Sequence, residues 1–322
     1  MSRRALVTGG AGFIGSHVAD LFAANGYEVE VLDNLSSGRR ENVPDGRRLH
    51  HLDIASPDAA AVVANGRYDV VAHLAAQIDV RKSVLEPLFD ARVNVLGTLN
   101  LLEAVRTSGH ATRFVFASTG GAIYGDFVTP PNREGMPMDP ESPYGIAKMS
   151  AELYLAAYAR LHKLDTCVLR YANVYGPRQD PHGEAGVVAI FCNRILDGRA
   201  LTVFGDGSQT RDYVFVKDVA RANLAAAERE LPKPGPINER AFNVGTGVET
   251  SVNELAGALR RAAGSETAIE YAPARAGELQ RSCVSIEKIG RQLGWRPEMS
   301  LDAGLAETYE WFAARRAGAA AR

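Results

Sequence analysis

Three glycines near the amino terminus constrain the fold more than any other feature of this sequence. An apolar segment at residues 5–8 has the pattern of a buried β-strand and runs directly into Gly9, Gly12 and Gly15, after which an apolar helical pattern begins. Glycines allow a tight turn between strand and helix, and they let the backbone approach a pyrophosphate, whose charge meets the positive dipole end of the helix. The sequence therefore predicts a dinucleotide-binding turn.

Asp33 supports this interpretation and bears on which dinucleotide binds. It follows directly on the second predicted strand, where a carboxylate can accept hydrogen bonds from an adenosine ribose. The same carboxylate would repel the 2′-phosphate of NADP, whereas the nearby Arg39 and Arg40 could attract that phosphate. We expect NAD as the cofactor.

The first half of the chain alternates short β-branched runs with longer helical patterns, which is typical of βαβ units on a parallel sheet. Strands are predicted at residues 5–8, 28–32, 48–52, 70–74, 113–117 and 166–171. Parallel strands need long crossover connections, and two helical patterns supply them, one over 81–107 with an interruption at Pro87 and one over 143–162. Two further segments, Asp53-Ile54 and residues 74–77, follow predicted strands at the ends where open α/β sheets bind their ligands.

Beyond Gly176 the pattern loosens into shorter elements. Helices are predicted near 187–197, 219–229, 252–263 and 301–314, and strands near 201–204 and 213–216. The sequence thus predicts an α/β fold, a doubly wound parallel-sheet Rossmann domain with a smaller mixed α/β substrate lobe. We expect the Rossmann domain over 1–172 with segments near 217–245 returning to it, the substrate lobe over 173–216 and 246–315, and a flexible tail over 316–322, because the last residues are only Ala, Arg and Gly.

Composition excludes several classes of partner. The net charge is −2, from 36 basic and 38 acidic residues, so no basic field exists to hold a nucleic-acid backbone. No apolar run approaches the roughly 18 residues that cross a bilayer, so no membrane partner is expected. Cys167, Cys192 and Cys283 lie far apart, which indicates reduced thiols buried in a cytoplasmic protein. The seven histidines form no cluster, so no metal is expected, and His73 is interpreted as a hydrogen-bonded core residue.

Tyr144 and Lys148 carry the strongest catalytic signal. Their spacing places a phenol and an ammonium on one face of a helix. Lowering a tyrosine pKa from about 10 to about 7 requires about 4 kcal/mol, which a partly buried lysine and an oxidised nicotinamide cation could supply together. The phenolate would then act as a general base toward a substrate hydroxyl. Ser118 and Thr119 follow the fifth predicted strand, and a hydroxyl there can hydrogen-bond the reacting oxygen.

Together these residues resemble the extended short-chain dehydrogenase/reductases, and most closely the nucleotide-sugar epimerases of the UDP-glucose 4-epimerase type, from Thr8 to about Trp295. The resemblance implies that the catalytic residues are Ser118, Thr119, Tyr144 and Lys148. It implies a cofactor site built from Gly9, Gly12, Phe13, Ile14, Gly15, Asp33, Asn34, Ser37, Gly38, Asp53, Ile54, Leu74, Ala75, Ala76, Gln77, Asn94, Tyr144, Lys148 and Tyr171. It implies a substrate site built from Thr119, Asn173, Val188, Arg211, Arg275, Glu278 and Ser282.

In that substrate site, Arg211 and Arg275 would meet the phosphates of UDP, an arrangement that suits a guanidinium fork, and Glu278 would meet the uridine ribose. The implied reaction takes the proton of the sugar 4-hydroxyl onto Tyr144 and the C4 hydride onto NAD, and after the 4-keto sugar turns over the hydride returns to its other face. The resemblance also implies a homodimer, formed through the helix that carries Lys148 and the helix around 94–105.

Several alternatives stay open at this point. The related 4,6-dehydratases resemble one another in an Asp-Glu pair after the catalytic Thr, and here Gly120-Gly121 stands there, so dehydration is disfavoured. The stretch from Ser118 is one residue longer than in the better-known epimerases, so either Ser118 or Thr119 could face the substrate, and spacing favours Thr119.

The sugar itself is also open. Ser282 stands where the family usually limits the sugar C2 substituent, and its small size favours acceptance of UDP-GlcNAc and UDP-GalNAc beside UDP-Glc and UDP-Gal. UDP-glucuronate is a further candidate, since Arg178 and Arg194 could reach a carboxylate. Another nucleotide-sugar oxidoreductase activity also stays open. The non-enzymatic alternative is an NAD-binding sensor that has lost its chemistry.

Overall fold

A computed structural model describes residues 2–126, 128–181, 186–275 and 279–320 of the chain. The strands are, in chain order, β1 (Arg3–Thr8), β2 (Tyr27–Asp33), β3 (Leu49–His51), β4 (Val70–His73), β5 (Arg113–Thr119), β6 (Asp165–Tyr171), β7 (Asn173–Tyr175), β8 (Leu201–Phe204), β9 (Thr210–Arg211), β10 (Tyr213–Phe215), β11 (Ala241–Val244), β12 (Thr250–Ser251), β13 (Ile269–Ala272) and β14 (Arg281–Ser282). The helices are α1 (Phe13–Ala24), α2 (Pro57–Gly66), α3 (Val80–Leu85), α4 (Pro87–Ala91), α5 (Thr98–Ser108), α6 (Pro143–Leu161), α7 (Val187–Leu196), α8 (Val216–Glu228), α9 (Val252–Ala263), α10 (Glu287–Leu293) and α11 (Leu301–Ala320).

The centre of the molecule is a seven-stranded sheet in the order β11-β6-β5-β4-β1-β2-β3. Each neighbouring pair in it is parallel. The predicted doubly wound Rossmann fold is confirmed, and the six predicted strands lie within two residues of their predicted ends. The order reverses between β1 and β4, and a crevice forms at such a point at the carboxyl ends of the strands.

Both faces of this sheet are covered by helices. Side chains alternate along β1, so Leu6 packs on one face while Ala5 and Val7 pack on the other. The face of Ala5 and Val7 is covered by α1 and α8, and the face of Leu6 by α2, α5 and α6. Burial on both faces explains why the strands are nearly continuous apolar runs.

The predicted helical stretch over 81–107 is broken where expected. Pro87 begins α4, because proline fits the first turn of a helix and cannot sit in its interior. Between α4 and α5 the chain forms a π-helical turn over Arg92–Gly97, which the sequence did not predict. Such turns are frequent at functional sites, and this one carries Asn94.

A second apolar core forms where α7, α9, α11 and β8 pack together. Helix α9 has the bounds that the sequence predicts, and its capping box, Ser251 with Glu254, satisfies the first-turn amides. Helix α11 continues to Ala320, since Ala and Arg both have high helix propensity, and the flexible tail over 316–322 stays a prediction. Two segments near 217–245 join the sheet domain, because β11 pairs with β6 and α8 packs on α1. The division of the chain at 172 and 173 stays a prediction.

The three cysteines are buried as free thiols, and burial raises the pKa of each to about 12. They therefore behave as small core residues, as expected. Among the described residues, no helix is long and apolar enough to cross a membrane.

Candidate active site

The glycine turn has the close packing that the sequence predicts. Gly9 has a φ of +68°, and a Cβ there would lie 2.7 Å from the amide nitrogen of Ala75. A Cβ on Gly15 would lie 2.1 Å from the carbonyl oxygen of Gly9. The turn therefore accepts no side chain at either position, and it brings the predicted cofactor residues Gly9 and Ala75 into contact.

Helix α1 begins directly after this turn with its amides available. Gly12 is its N-cap residue and makes no side-chain cap hydrogen bond, and the first turn, which starts with Phe13 and Ile14, holds no acidic residue. The first amides of an uncapped helix are donors for an anion. A side-chain-free cradle in front of such donors fits the pyrophosphate of NAD.

Asp33 lies beside the turn, at the end of β2. Its Oδ2 accepts from the Ala11 amide at 3.0 Å and its Oδ1 from the Leu35 amide at 2.8 Å. A Cβ on Gly38 would lie within 2.9 Å of both carboxylate oxygens. The carboxylate is thus held in place by backbone donors, and its free lone pairs and the open face at Gly38 fit the ribose of NAD.

The other predicted adenosine residues surround this position. Asn34 and Ser37 are exposed on the loop that follows β2. Asp53 accepts from the Ala55 amide at 2.8 Å, and the buried Ile54 packs against the π-helical turn at Gly97. These residues lie at the carboxyl ends of β2 and β3, as predicted.

Residues 74–77, which follow β4, form the next wall of the crevice. The amides of Leu74 and Ala75 donate to the carbonyl and hydroxyl of Thr8. Asn94 donates to the Gln77 carbonyl at 2.9 Å and accepts from the Gln77 amide at 3.0 Å. Its remaining amide hydrogen goes to Asp90, so Asn94 holds the wall in place and keeps no amide hydrogen for a cofactor.

Tyr144 and Lys148 lie on the first turns of α6, whose N-cap Ser142 accepts from the Gly145 amide. The Lys148 side chain is buried, and its Nζ donates to the Ala117 carbonyl at 2.9 Å. The same Nζ lies 5.9 Å from the centroid of the Tyr144 ring. Helix α6 therefore brings the phenol and the ammonium together at the carboxyl end of β5, as predicted.

The ionisation of this pair differs from the expectation that Lys148 acidifies Tyr144. Burial raises the pKa of Tyr144 above its ordinary value, and the carboxylate of Asp90 raises it further. Burial also lowers the pKa of Lys148 to about 8, against the opposing fields of Asp90 and Glu152. Burial, together with the charge of Asp90, therefore keeps the phenol protonated, and acidification depends on positive charge from outside the chain.

Ser118 and Thr119, the two candidate hydroxyls, point in different directions. Ser118 is buried, and its hydroxyl donates to Glu152 Oε1 at 2.5 Å, within a network that includes the fully buried Arg170. Thr119 is partly exposed, and its hydroxyl oxygen accepts from the Ala122 amide at 3.1 Å, which leaves its own proton to donate. The geometry favours Thr119 as the hydroxyl that faces a substrate.

Thr119 shares an open space with two predicted substrate residues. A Cβ placed on Gly121 would lie 3.9 Å from Asn173 Oδ1, 3.9 Å from Ser282 Oγ and 4.0 Å from Thr119 Oγ1. The three polar side chains therefore surround a position that carries no side chain of its own. This hollow adjoins α6, since a Cβ on Gly145 would meet the Ala122 carbonyl at 2.7 Å.

The other predicted substrate residues have varied positions. The exposed Arg275 guanidinium lies 3.8 Å from the centroid of the Phe204 ring, and Arg211 on β9 donates to the Thr210 carbonyl. The side chain of Val188 lies in the core of the second lobe, so this residue offers only backbone to a ligand. Glu278 lies outside the described residues.

Tyr171 is the predicted cofactor residue whose side chain lies away from the crevice. Its hydroxyl bonds Asn223 on α8 at 2.8–3.0 Å, on the face of the sheet that α1 and α8 cover. Its carbonyl accepts from the Gly120 amide at 2.7 Å. Tyr171 therefore shapes the site through its backbone.

Two residues at the site had no role in the sequence analysis. Asp90 is buried with Gln77 and Asn94, and the buried Ser83 hydroxyl accepts from the Tyr144 amide at 3.2 Å. The helical spacing of Asp90 to Asn94 was the available signal for the first of them. The Ser83 contact joins residues far apart in the chain and had no local signal.

His73 has the structural role that was predicted. Its Nδ1 lies 2.7 Å from Thr8 Oγ1 and its Nε2 lies 3.0 Å from Thr98 Oγ1, and burial lowers its pKa to about 3. Within the described ranges, no group of three or more His, Cys, Asp or Glu residues could hold a metal ion.

Comparison with known proteins agrees with this geometry. Residues 5–245 match the model of the NAD dependent epimerase/dehydratase family. The chain belongs to this family. The match includes the glycine turn, Asp33, Thr119, Tyr144 and Lys148, and the chain is accordingly an NAD-dependent enzyme of the epimerase type.

Individual family members are similar over nearly their whole length. The chain is 47% identical over 315 residues to a UDP-glucose 4-epimerase of Mycolicibacterium smegmatis, covering 96% of this chain and 98% of that protein. The crystal structure of a Thermotoga maritima UDP-glucose 4-epimerase with UDP-glucose has a TM-score of 0.92 at 47% identity, covering 97% of this chain and 99% of the other. A Thermus thermophilus UDP-glucose 4-epimerase in complex with NAD has a TM-score of 0.87 at 45% identity, covering 96% and 99%.

Proposed function

We propose that this enzyme interconverts UDP-glucose and UDP-galactose by inverting the configuration at sugar C4. The observation that carries the proposal is the meeting of Tyr144, Lys148 and Thr119 at the carboxyl end of β5, next to the hollow at Gly121. The similarity to UDP-glucose 4-epimerases over nearly the whole chain supports it.

In the proposed reaction, Tyr144 accepts the proton of the sugar 4-hydroxyl and later returns it to the 4-keto oxygen. Bound NAD would supply a reversible acceptor for the C4 hydride. The Thr119 hydroxyl oxygen accepts from the Ala122 amide, and its own proton stays available. Thr119 donates this proton to the reacting oxygen. The positive charge that favours the phenolate would come from the nicotinamide of bound NAD⁺, because burial and Asp90 both raise the pKa of Tyr144.

Dehydration of the sugar is the competing chemistry within this family. It needs an acid to protonate the leaving hydroxyl and a base to remove a proton. Gly120 and Gly121 bring neither group to the position after Thr119, and a Cβ on Gly120 would already lie 2.8 Å from Val284. These contacts support epimerisation over elimination.

The experiment is a coupled assay of the as-purified protein with UDP-galactose and no added NAD. We expect turnover by the wild type, because the cofactor is regenerated in every cycle. Tyr144→Phe should lower kcat by about 10²- to 10⁴-fold, the usual contribution of general acid–base catalysis. Equal rates for the two proteins would remove Tyr144 from the reaction, and a wild type that contains NAD but converts no UDP-sugar would favour the sensor alternative.

We further propose that the enzyme accepts UDP-GlcNAc and UDP-GalNAc. Ser282 and Gly121 support this, since a serine hydroxyl beside an absent side chain leaves room for an N-acetyl group at sugar C2. Ser282→Tyr should abolish conversion of UDP-GalNAc while conversion of UDP-galactose persists. Failure of the wild type to convert UDP-GalNAc would refute this extension alone.

UDP-glucuronate is less favoured by the contacts of the two arginines that suggested it. Arg178 pairs with Asp20 at 2.8 Å, and Arg194 donates to the Ala200 carbonyl and the Thr202 hydroxyl. Both guanidiniums are thus held by other groups of the chain. Assay of UDP-glucuronate beside the other two substrates tests this directly.

A homodimer and a cytoplasmic location complete the proposal. Exposed apolar side chains on α3, α4 and α6 support a homodimer, and they include Leu85 at 81% and Leu88 at 86% exposure. Three buried free thiols support a reducing compartment.

A further inference from the structure

Asp90 is a buried carboxylate at the candidate active site to which the proposed reaction assigns no role. It lies on α4 and is 1% exposed. Its Oδ1 accepts from Gln77 Nε2 at 2.9 Å and from Asn94 Nδ2 at 3.0 Å. Its Oδ2 is buried and has no hydrogen-bond partner among the residues that the structure describes. An unpartnered buried carboxylate oxygen is costly, so its presence needs an explanation.

The hydrogen bonds of Oδ1 connect Asp90 to the cofactor wall. Gln77 uses its second amide hydrogen on the Asp79 carbonyl and accepts from the Asp79 amide, and Asn94 uses its other groups on the Gln77 backbone. Both amides are therefore saturated, and Asp90 is the acceptor that closes this network. Residues 74–77 are held in one conformation in front of the glycine turn as a result.

The charge of Asp90 connects it to the catalytic pair. Burial raises the pKa of Asp90, and the Lys148 ammonium lowers it. In return, the Asp90 carboxylate raises the pKa of both Tyr144 and Lys148. Helix α4 packs directly on α6, which places these three groups on adjoining helices.

Other charged groups lie on the elements around Asp90. Arg81 on α3 and Arg92 on the π-helical turn are exposed, and Lys82 Nζ lies 4.4 Å from the centroid of the Phe89 ring. The Asp79 carboxylate accepts from the Lys82 amide at the start of α3. From α6, Glu152 acts on Lys148 and is itself bonded to Ser118 and Arg170.

We propose that Asp90 is a positioning residue that fixes residues 74–77 through Oδ1 and whose buried carboxylate, on a helix packed against α6, favours the protonated forms of Tyr144 and Lys148. The protonated phenol is the form that returns a proton to a 4-keto sugar. Asp90 thus opposes the ionisation that begins the cycle and favours the protonation that ends it. This inference rests on the proposed function, but its test does not use turnover.

The test titrates Tyr144 directly in the as-purified protein. Tyrosinate absorbance is measured against pH for the wild type and for Tyr144→Phe, and the difference between the two curves gives the midpoint for Tyr144. The same pair of titrations is then repeated in proteins that also carry Asp90→Asn. Asparagine has the shape of aspartate and keeps the Oδ1 acceptor, and its NH2 group replaces the unpartnered Oδ2, so the charge is removed while both hydrogen bonds of Oδ1 are kept. We expect the midpoint to fall by about one pH unit, the lower end of the usual effect of a neighbouring charge.

Glu86→Gln is the matched control, because Glu86 lies on the same segment and is exposed. It should leave the Tyr144 midpoint where it is in the wild type. A midpoint that stays or rises in Asp90→Asn, or that moves equally in Glu86→Gln, would overturn the electrostatic role.

The NAD content of the purified proteins tests the role of Oδ1. Asp90→Asn should retain NAD at the wild-type level, whereas Asp90→Ala, which leaves two buried amide hydrogens without an acceptor, should retain several-fold less. Equal NAD content in Asp90→Ala would overturn the positioning of residues 74–77. If Asp90→Ala fails to fold, a Gln77→Ala variant makes the same comparison. If the Tyr144 midpoint and the NAD contents change as expected but the wild type shows no epimerase activity, the proposed function is contradicted and the role of Asp90 is not.

Discussion

At the scale of single residues, burial affects the pKa values of Tyr144 and Lys148 more than the contact between these two residues does. Lys148 points its Nζ at the Ala117 carbonyl, and the Tyr144 phenol lies in the field of a carboxylate. The sequence spacing correctly predicts that the two residues meet. It could not predict the direction of the tyrosine pKa, because that depends on burial and on Asp90, which belongs to a different helix.

Lys148 provides a prediction about pH. Its pKa of about 8 in the folded protein lies below the ordinary value of about 10.4, so the unfolded chain binds more protons between these pH values. The free energy of unfolding of the wild type, relative to Lys148→Met, should therefore rise as pH increases from about 8 to about 10.4. Denaturant unfolding of both proteins across this range measures the difference. A difference that stays constant, or that falls, would contradict the lowered pKa.

The two hydroxyls at the end of β5 predict different effects. Ser118→Ala removes a donor from the buried Glu152 carboxylate, so it should lower the free energy of unfolding by about 1–3 kcal/mol. Thr119→Ala should lower kcat about 10²-fold, as expected for a lost donor to the reacting oxygen, with little change in unfolding. Urea unfolding and the UDP-galactose assay measure the two effects. If Ser118→Ala lost kcat and Thr119→Ala lost only stability, the catalytic assignment would pass to Ser118.

At the scale of elements, the sequence correctly predicted the features that depend on residues close together in the chain. The β1 strand, the glycine turn and the break at Pro87 follow from side-chain size and backbone geometry within a few residues, and the structure has them where expected. The π-helical turn has no such local signature, and the short strand β11 acquires its place only by pairing with β6. Asp90 had a local signal in its spacing to Asn94, but its role was missed because its other partner, Gln77, lies in the segment after β4.

The β1–α1 turn predicts a severe effect of one methyl group. In Gly15→Ala the added Cβ would lie 2.1 Å from the Gly9 carbonyl oxygen, so the turn must open. We expect the purified protein to lose its NAD almost completely, because the helix amides move away from the pyrophosphate. Gly135→Ala is the control, since no atom lies within 4 Å of its added Cβ. Ultraviolet absorbance of the cofactor released from both proteins measures NAD content, and equal content would contradict the close packing.

At the scale of the whole molecule, α3, α4 and α6 leave apolar side chains exposed, and contacts within a single chain do not explain this exposure. Leu88 is 86% exposed and Leu85 81%, next to a helix that carries the catalytic pair. Burying such a surface against a second copy would be favourable by about 25 cal/mol for each Å² of apolar area. The proposed homodimer would then cover the exposed apolar side chains of α6, the helix that carries the catalytic pair.

Leu88→Glu tests the proposed homodimer. A charge at the centre of an apolar interface should shift the protein from dimer to monomer at micromolar concentration, as measured by sedimentation. Val248→Glu is the control, since Val248 is 60% exposed on a loop away from these helices. A wild type that sediments as a monomer, or a Leu88→Glu variant that stays dimeric, would contradict the proposed interface.

The place of β11 at the edge of the sheet has a consequence for biosynthesis. β6 leaves the ribosome about 70 residues before β11, which at 5–20 residues per second amounts to several seconds. During that interval the hydrogen-bonding edge of β6 has no partner strand, and unpaired edges recruit foreign strands. The interval between the synthesis of β6 and that of β11 is therefore a stage at which this edge is open to aggregation, and pairing with β11 ends that exposure.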